Sequence, residues 1–139
     1  MESGTRDRLR AIGTFVAELE APGFEAGRWH RSEITRREGD TDIWTMPWFE
    51  LSDRASAFVS TLAGIMVVFD WPTWARTDEA QTLHDDRQAL STATYDQLTK
   101  LATAVIREDR FNEGALAASL ESGLMAAIAR RAAALADGP

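Results

Sequence analysis

Apolar residues recur every three or four positions along most of the chain. In residues 6–20, RDRLRAIGTFVAELE, Leu9, Ile12, Val16 and Leu19 keep helical spacing and predict an amphipathic helix. Pro22-Gly23 stops it. Residues 51–64, LSDRASAFVSTLAG, predict a second helix, with Ser52 as N-cap and Gly64 at the place of a left-handed C-terminal cap. Residues 77–90 predict a third, capped by Thr77, with Asp78 and Glu79 in its first turn and Ala80, Leu83, Arg87 and Leu90 on one side. Thr94 and Gln97 have capping-box spacing. They open a helix that gathers Leu98, Leu101, Ala102, Val105 and Ile106 on one arc. Asn112 is placed to cap a further short helix, with Glu113 favourable in its first turn. Gly123 then divides EGALAASLESG from LMAAIARRAAALAD, and ten of residues 113–136 are Ala, a composition of high helix propensity.

Two stretches break this period. In EITRREGDTDIWTMPWFE a Gly-Asp pair at 39–40 separates two segments able to extend. Trp44, Met46 and Trp48 alternate as they would on one face of a strand, and Pro47 restricts that strand to an edge or a short length. A hairpin or ordered loop is expected there. The run IMVVFDWPTW begins fully apolar and β-branched, which predicts a short buried extended segment. Trp71 precedes Pro72 and is biased away from the helical region, so Asp70–Trp74 reads as a loop. The architecture expected is mainly α: a compact single-domain bundle of about five helices over residues 1–139, with a minor extended or hairpin element between residues 33 and 70.

Composition narrows the functions open to such a bundle. The 139 residues suffice for one core. There is no Cys, which removes disulfides and thiolate chemistry. The N-terminus MESGTRDRLRAIG lacks a signal-peptide core. LAGIMVVF, the longest strongly apolar run, is far shorter than a membrane span. A cytoplasmic protein with no membrane partner is expected. The net charge of −7 is spread evenly: 8 basic against 12 acidic residues in 1–70, and 7 against 10 in 71–139. That disfavours a nucleic-acid partner. Fourteen of the 15 basic residues are Arg, which with abundant Ala points to a high-GC bacterial source.

Chemical candidates are few. No phosphate loop, no G-x-S-x-G and no H-E-x-x-H occurs, and no cofactor is expected. His30 and His84 are the only histidines. The HDD at 84–86 lacks a second histidine nearby, so no metal site is expected. On a helical wheel Thr103, Arg107 and Arg110 stack into a polar stripe away from the apolar arc. Such a stripe can be a solvated face, an ion-pair network with Asp70, Glu108, Asp109 or Glu113, or an anion site, since paired arginines grip carboxylates and phosphates. Asp70 follows an apolar run and is the acid expected to be buried, with an ion pair or cap as its plainest role. Five tryptophans lie at 29, 44, 48, 71 and 74. Most such residues are packing, but Trp71 and Trp74 beside Pro72 are the best candidates for a functional surface.

These residues resemble a known pattern. TMPWFELS with Pro47, then Phe58, Gly64, VFDWPTW, LTKLATAVIREDRFNEG, SLESG and IARRAAAL follow in order. Over roughly residues 45–136 they resemble an uncharacterised bacterial family, the domain of unknown function numbered 6508. Its pattern is an apolar-Phe-Asp-Trp stretch, a helix ending in R-x-x-R-F, an acid-Gly pair, a later Gly and a closing amphipathic helix. Phe69, Asp70, Trp71, Trp74, Thr103, Arg107, Arg110, Phe111, Glu113, Gly114 and Gly123 match it. The chain departs from it at Asn112, where many members have Cys, and at Ala115, where many have His. The resemblance implies the domain and its polar cluster and supplies no reaction.

The function expected is a small non-enzymatic interaction or regulatory module with a protein partner. The alternative is a binder or processor of an anionic ligand, through Asp70, Trp71, Trp74, Thr103, Arg107, Arg110 and Glu113. A third class is an acidic nucleic-acid mimic that inhibits a basic protein, against which the even charge spread argues.

Overall fold

The computed structural model describes residues 1–30, 34–44, 47–109 and 114–138. It is mainly helical. Among the described residues, helices α1 (Ser3–Gly13) and α2 (Val16–Leu19) are followed by strands β1 (Gly27–His30), β2 (Ile34–Glu38), β3 (Thr41–Trp44) and β4 (Trp48–Leu51). Then come α3 (Asp53–Leu62), a 3₁₀ turn (Ala63–Ile65), α4 (Trp71–Ala75), α5 (Asp78–Asp85), α6 (Arg87–Ser91), α7 (Tyr95–Glu108), α8 (Ala115–Glu121) and α9 (Leu124–Asp137).

Local capping chemistry sets most helix starts. Ser52 accepts from the Ala55 amide at 3.1 Å and Thr77 from the Ala80 amide at 3.2 Å. The Thr94–Gln97 box is reciprocal: the Gln97 amide donates to Thr94 Oγ1 at 3.1 Å, and the Thr94 amide donates to Gln97 Oε1 at 2.9 Å. Each bond satisfies an amide that the first helical turn leaves without a backbone partner. The expected helix over 77–90 is instead two. Asp86 accepts from the amides of Gln88 and Ala89, so it caps a new helix and breaks the old one. Arg87 therefore does not share the buried side of Leu83 and Leu90; it is exposed. Gly64 is another correction. It lies inside the 3₁₀ turn and is not left-handed, because the chain tightens there before extending. At 123 the break is as expected, with Gly123 at φ 86.

The first and last long helices pack on each other more extensively than any other pair of elements. A Cβ added at Gly13 would stand 2.7 Å from Ala133 Cβ. Only small residues permit that approach. Around this seam lies one apolar cluster: Leu9 and Ile12 from α1, Phe58 and Leu62 from α3, Leu90 from α6, Leu98 from α7, and Leu124, Met125 and Ile128 from α9, all fully buried. Each large side chain buried in this way contributes about 1.5–3 kcal/mol relative to exposure. Phe15 meets Phe58 edge to face at 5.4 Å, and the Arg54 guanidinium sits 5.3 Å from the Phe15 ring centroid.

The extended element is antiparallel. β1 pairs with β4 (Gly27 opposite Leu51, His30 opposite Trp48), and β2 pairs with β3 (Ile34 opposite Trp44, Glu38 opposite Thr41). The expected turn lies at Gly39-Asp40. Gly39 has φ 63 while no described residue other than Gly has positive φ, which suits the first central position of a type II′ hairpin turn. At the base, the Ser52 amide donates to Ala26 O at 2.9 Å and Ser52 Oγ to Glu25 O at 2.8 Å. Met46 lies outside the described residues, so the expected Trp44, Met46 and Trp48 face is not described.

Candidate functional site

The cluster expected from sequence is dispersed. Arg110, Phe111, Asn112 and Glu113 lie outside the described residues. Asp70 is exposed, contrary to expectation. The run before it is buried only at its start: Ile65 enters the core, whereas Val68 is fully exposed and Val67 about 40% exposed, because the segment then lies across α7. The Asp70 carboxylate is used locally. It accepts from the Thr73 amide at 3.3 Å and from Thr73 Oγ1 at 2.7 Å, which caps α4. Asp70–Trp74 is thus the start of a short helix and not a loop. Pro72 falls in the first turn, where no backbone donor is needed. Among the described residues Asp70 forms no ion pair with Arg107.

Thr103 has a backbone task. It is buried, donates to Thr99 O at 2.7 Å and accepts from the Val67 amide at 3.0 Å. That pins the extended segment to α7. Phe69 and Trp74 pack edge to face at 6.0 Å, Lys100 Nζ lies 6.0 Å from the Phe69 centroid, and the Trp74 indole donates to Glu79 at 2.8 Å. This aromatic segment packs against α7. Trp71 is half-buried on the same short helix. Trp74 lines a cavity of about 90 Å³ with Leu101, Ala104, Val105 and Glu108, while Arg107 and Asp70 are not among its lining residues. An adjoining depression of about 340 Å³ holds His84, Glu108 and Ser119. His84 Nδ1 is 2.8 Å from Asp85 Oδ1. Among the described residues no group of three or more His, Asp or Glu is placed to hold a metal ion.

A larger concavity than either lies elsewhere. A cleft of about 680 Å³ runs along α9, with α2 and α6 as its walls. Its floor is Gly123, Ala126, Ala127 and Ala134, Leu19 lines the α2 wall, and three arginines, Arg87, Arg130 and Arg131, stand around it. Each is oriented by the fold. Arg87 donates to His84 O at 2.8 Å and to Ser122 O at 3.4 Å. Arg131 Nε donates to Ala93 O at 2.8 Å. Arg130 grips Glu20 with Nε at 3.2 Å and with Nη2. Those hydrogen bonds hold the Glu20 carboxyl below the usual carboxylate range and raise the Arg130 pKa. Glu18 makes the matching pair with Arg54, Oε1 at 2.5 Å and Oε2 at 3.1 Å, and is likewise lowered by those bonds. The four-residue α2 is therefore tied to α3 on one hand and to α9 on the other.

Sequence reasoning missed this cleft. One signal was present: Gly123, Ala126, Ala127, Arg130 and Ala134 recur at helical spacing, a small-residue stripe crossed by one cation. The other walls come from residues 19–20 and 87–91, and no local pattern brings those to α9.

The hairpin base carries a second aromatic group. His30 stacks on Trp48 at 4.2 Å with rings 7° apart, and Trp29 meets Phe49 at 5.4 Å. The Trp29 ring lies over Gly114, where an added Cβ would come within 2.8 Å of it. Glu50 is held low by hydrogen bonding with His30 and then Arg28.

The chain belongs to a family of unknown function, DUF6508, whose model matches residues 4–138. That span is longer than the 45–136 in which the matching motifs lie. Comparison with curated proteins and with solved structures gave no match.

Proposed function

We propose that this member of the family is a small protein-interaction module that recognises an anionic group on its partner through the α2–α6–α9 cleft. The observation that carries this reading is the convergence of Arg87, Arg130 and Arg131 on an apolar floor, in a chain of net charge −7. Overall charge would drive such a chain away from anions. At physiological salt, however, charges are screened over about 8 Å, so the local three arginines against Glu20 govern what enters. Guanidinium groups pre-oriented by backbone carbonyls lose less freedom on gripping a carboxylate or phosphate. No reaction is implied: the lining residues are Leu, Glu, Arg, Ser, Gly and Ala, with no His–acid pair and no nucleophile activated by a base. The test is titration with glutarate and with phosphate, followed by NMR of the arginine Nε–H resonances. Site-specific shifts are expected at Arg87, Arg130 and Arg131 and should vanish in Arg130→Gln/Arg131→Gln. Shifts at none of the three would reject the cleft as an anion site.

A further inference from the structure

We infer that the occupant of this cleft is an acidic amphipathic helix of a partner protein, one carboxylate of which takes the place of Glu20 on Arg130. The inference rests on the reading just proposed and deepens it. Three features support it.

The first is the shape of the floor. The stripe from Gly123 to Ala134 runs along α9 for about three turns, on the order of 16 Å at 1.5 Å per residue. Alanine and glycine side chains let a second helix approach to the short end of the usual interaxial range, about 8 Å. The molecule already uses this device internally, where Gly13 of α1 sits against Ala133. A helix laid in a groove reads such a floor with residues at i, i+3, i+4 and i+7.

The second is the polar inventory. A pocket for a small molecule fixes its ligand with aromatic walls and a few buried, aimed polar groups. Among the described side chains, Trp29, Trp48, Trp71 and Trp74 do not line this cleft, and neither do the buried polar residues Thr99, Thr103 and Ser119. Its polar side chains are Ser91, Glu20 and the guanidinium groups of Arg87, Arg130 and Arg131, and three cations against one acid suit several carboxylates spaced along a peptide.

The third is Glu20 itself. Its two oxygens accept from two nitrogens of Arg130, which is the bidentate geometry an incoming Asp or Glu would adopt. Glu20 thus marks a carboxylate position in the cleft and competes for it. Phosphate backbones fit less well, since their charges continue beyond the cleft into the acidic remainder of the surface.

The experiment is selection from a displayed random peptide library against the wild-type chain. It is followed by affinity measurements of the enriched peptides on wild type, Arg130→Gln and Glu20→Gln, each first checked for folding by circular dichroism. Enrichment of acids at helical spacing beside an apolar face is expected. Arg130→Gln should weaken binding about tenfold or more, as loss of a charged hydrogen bond does. Glu20→Gln should tighten it about two- to fivefold, as release of an exposed ion pair does. Peptides without acids, or acidic peptides that bind Arg130→Gln as well as wild type, overturn the inference. Arginine shifts with glutarate would in that case still uphold the cleft as an anion site. Absence of both acidic peptides and shifts removes the cleft altogether. Binding unchanged by Glu20→Gln refutes the displacement.

Discussion

Helix α9 carries two adjoining small-residue stretches, and the molecule treats them differently. One, at Ala133, is closed by α1 so tightly that Gly13 has no room for a methyl group. The other, from Gly123 to Ala134, is left open under Arg87, Arg130 and Arg131. The same residue type therefore means a finished seam on one side and an unfinished one on the other. What separates them is charge. The closed face meets the apolar cluster around Leu9 and Ile12, whereas the open one is crossed by a cation already holding a carboxylate. Small size lets backbones approach; the neighbouring charges mark which stretch the chain's own helix covers.

The largest effect should come from breaking the closed seam. Gly13→Leu forces side-chain atoms into space where Ala133 Cβ lies 2.7 Å from an ideal Cβ and Ala133 Cα 3.0 Å. Overpacking of this kind costs about 1–3 kcal/mol, and thermal denaturation should show a midpoint lowered by several degrees. An undiminished midpoint would mean that α1 and α9 are not held at this distance. A smaller loss is expected away from α9. Thr103→Val keeps the buried volume but removes both the acceptor for the Val67 amide and the donor to Thr99 O, a loss of about 1–2 kcal/mol for the two hydrogen bonds. Hydrogen exchange at Val67 should accelerate, and protection equal to wild type would refute the clamp.

The open seam should tolerate what the closed one does not. Ala134→Leu fills the cleft at an exposed position. Stability should stay within about 0.5 kcal/mol, while binding of selected acidic peptides is lost. Strong destabilisation would show that this face is already covered from within the chain. The smallest effect is the pH response. Glu18, Glu20 and Glu50 have carboxyls lowered by their hydrogen-bonded partners. Their stabilising contribution is complete above the ordinary Glu range and disappears as pH falls through the lowered folded values. All three are surface pairs, so high salt should flatten the response. In Glu18→Gln/Glu20→Gln the midpoint should fall less on acidification than in wild type; an equal fall would assign the acid response to other carboxylates.

Much of the helical frame was legible because its signals are local. Ser52, Thr77 and the Thr94–Gln97 box cap the helices they were expected to cap, since a cap needs only its own first turn. Gly39-Asp40 is a hairpin turn for the same reason. What failed depended on surroundings. The apolar run before Asp70 looked buried, but Val67 and Val68 lie outside the core; hydrophobicity alone does not say which apolar segments find room. Asp86 acts as a cap inside what periodicity read as one helix, and that shift moved Arg87 from an apparent apolar side to the cleft wall. Glu20, Arg87 and Arg130 are joined only by tertiary packing, so no window of sequence contains their relation.

The hydrogen bond between the Ser52 amide and Ala26 O has a consequence for how the chain can change. The excursion through β1 to β4 leaves and rejoins the helical body at neighbouring points, so both ends of the body's backbone are already in register without it. The cost of closing a loop between fixed, adjacent ends grows only with the logarithm of its length. Residues 27–51 therefore form a port, where a change in the length of the excursion carries little closure cost for the helices beneath.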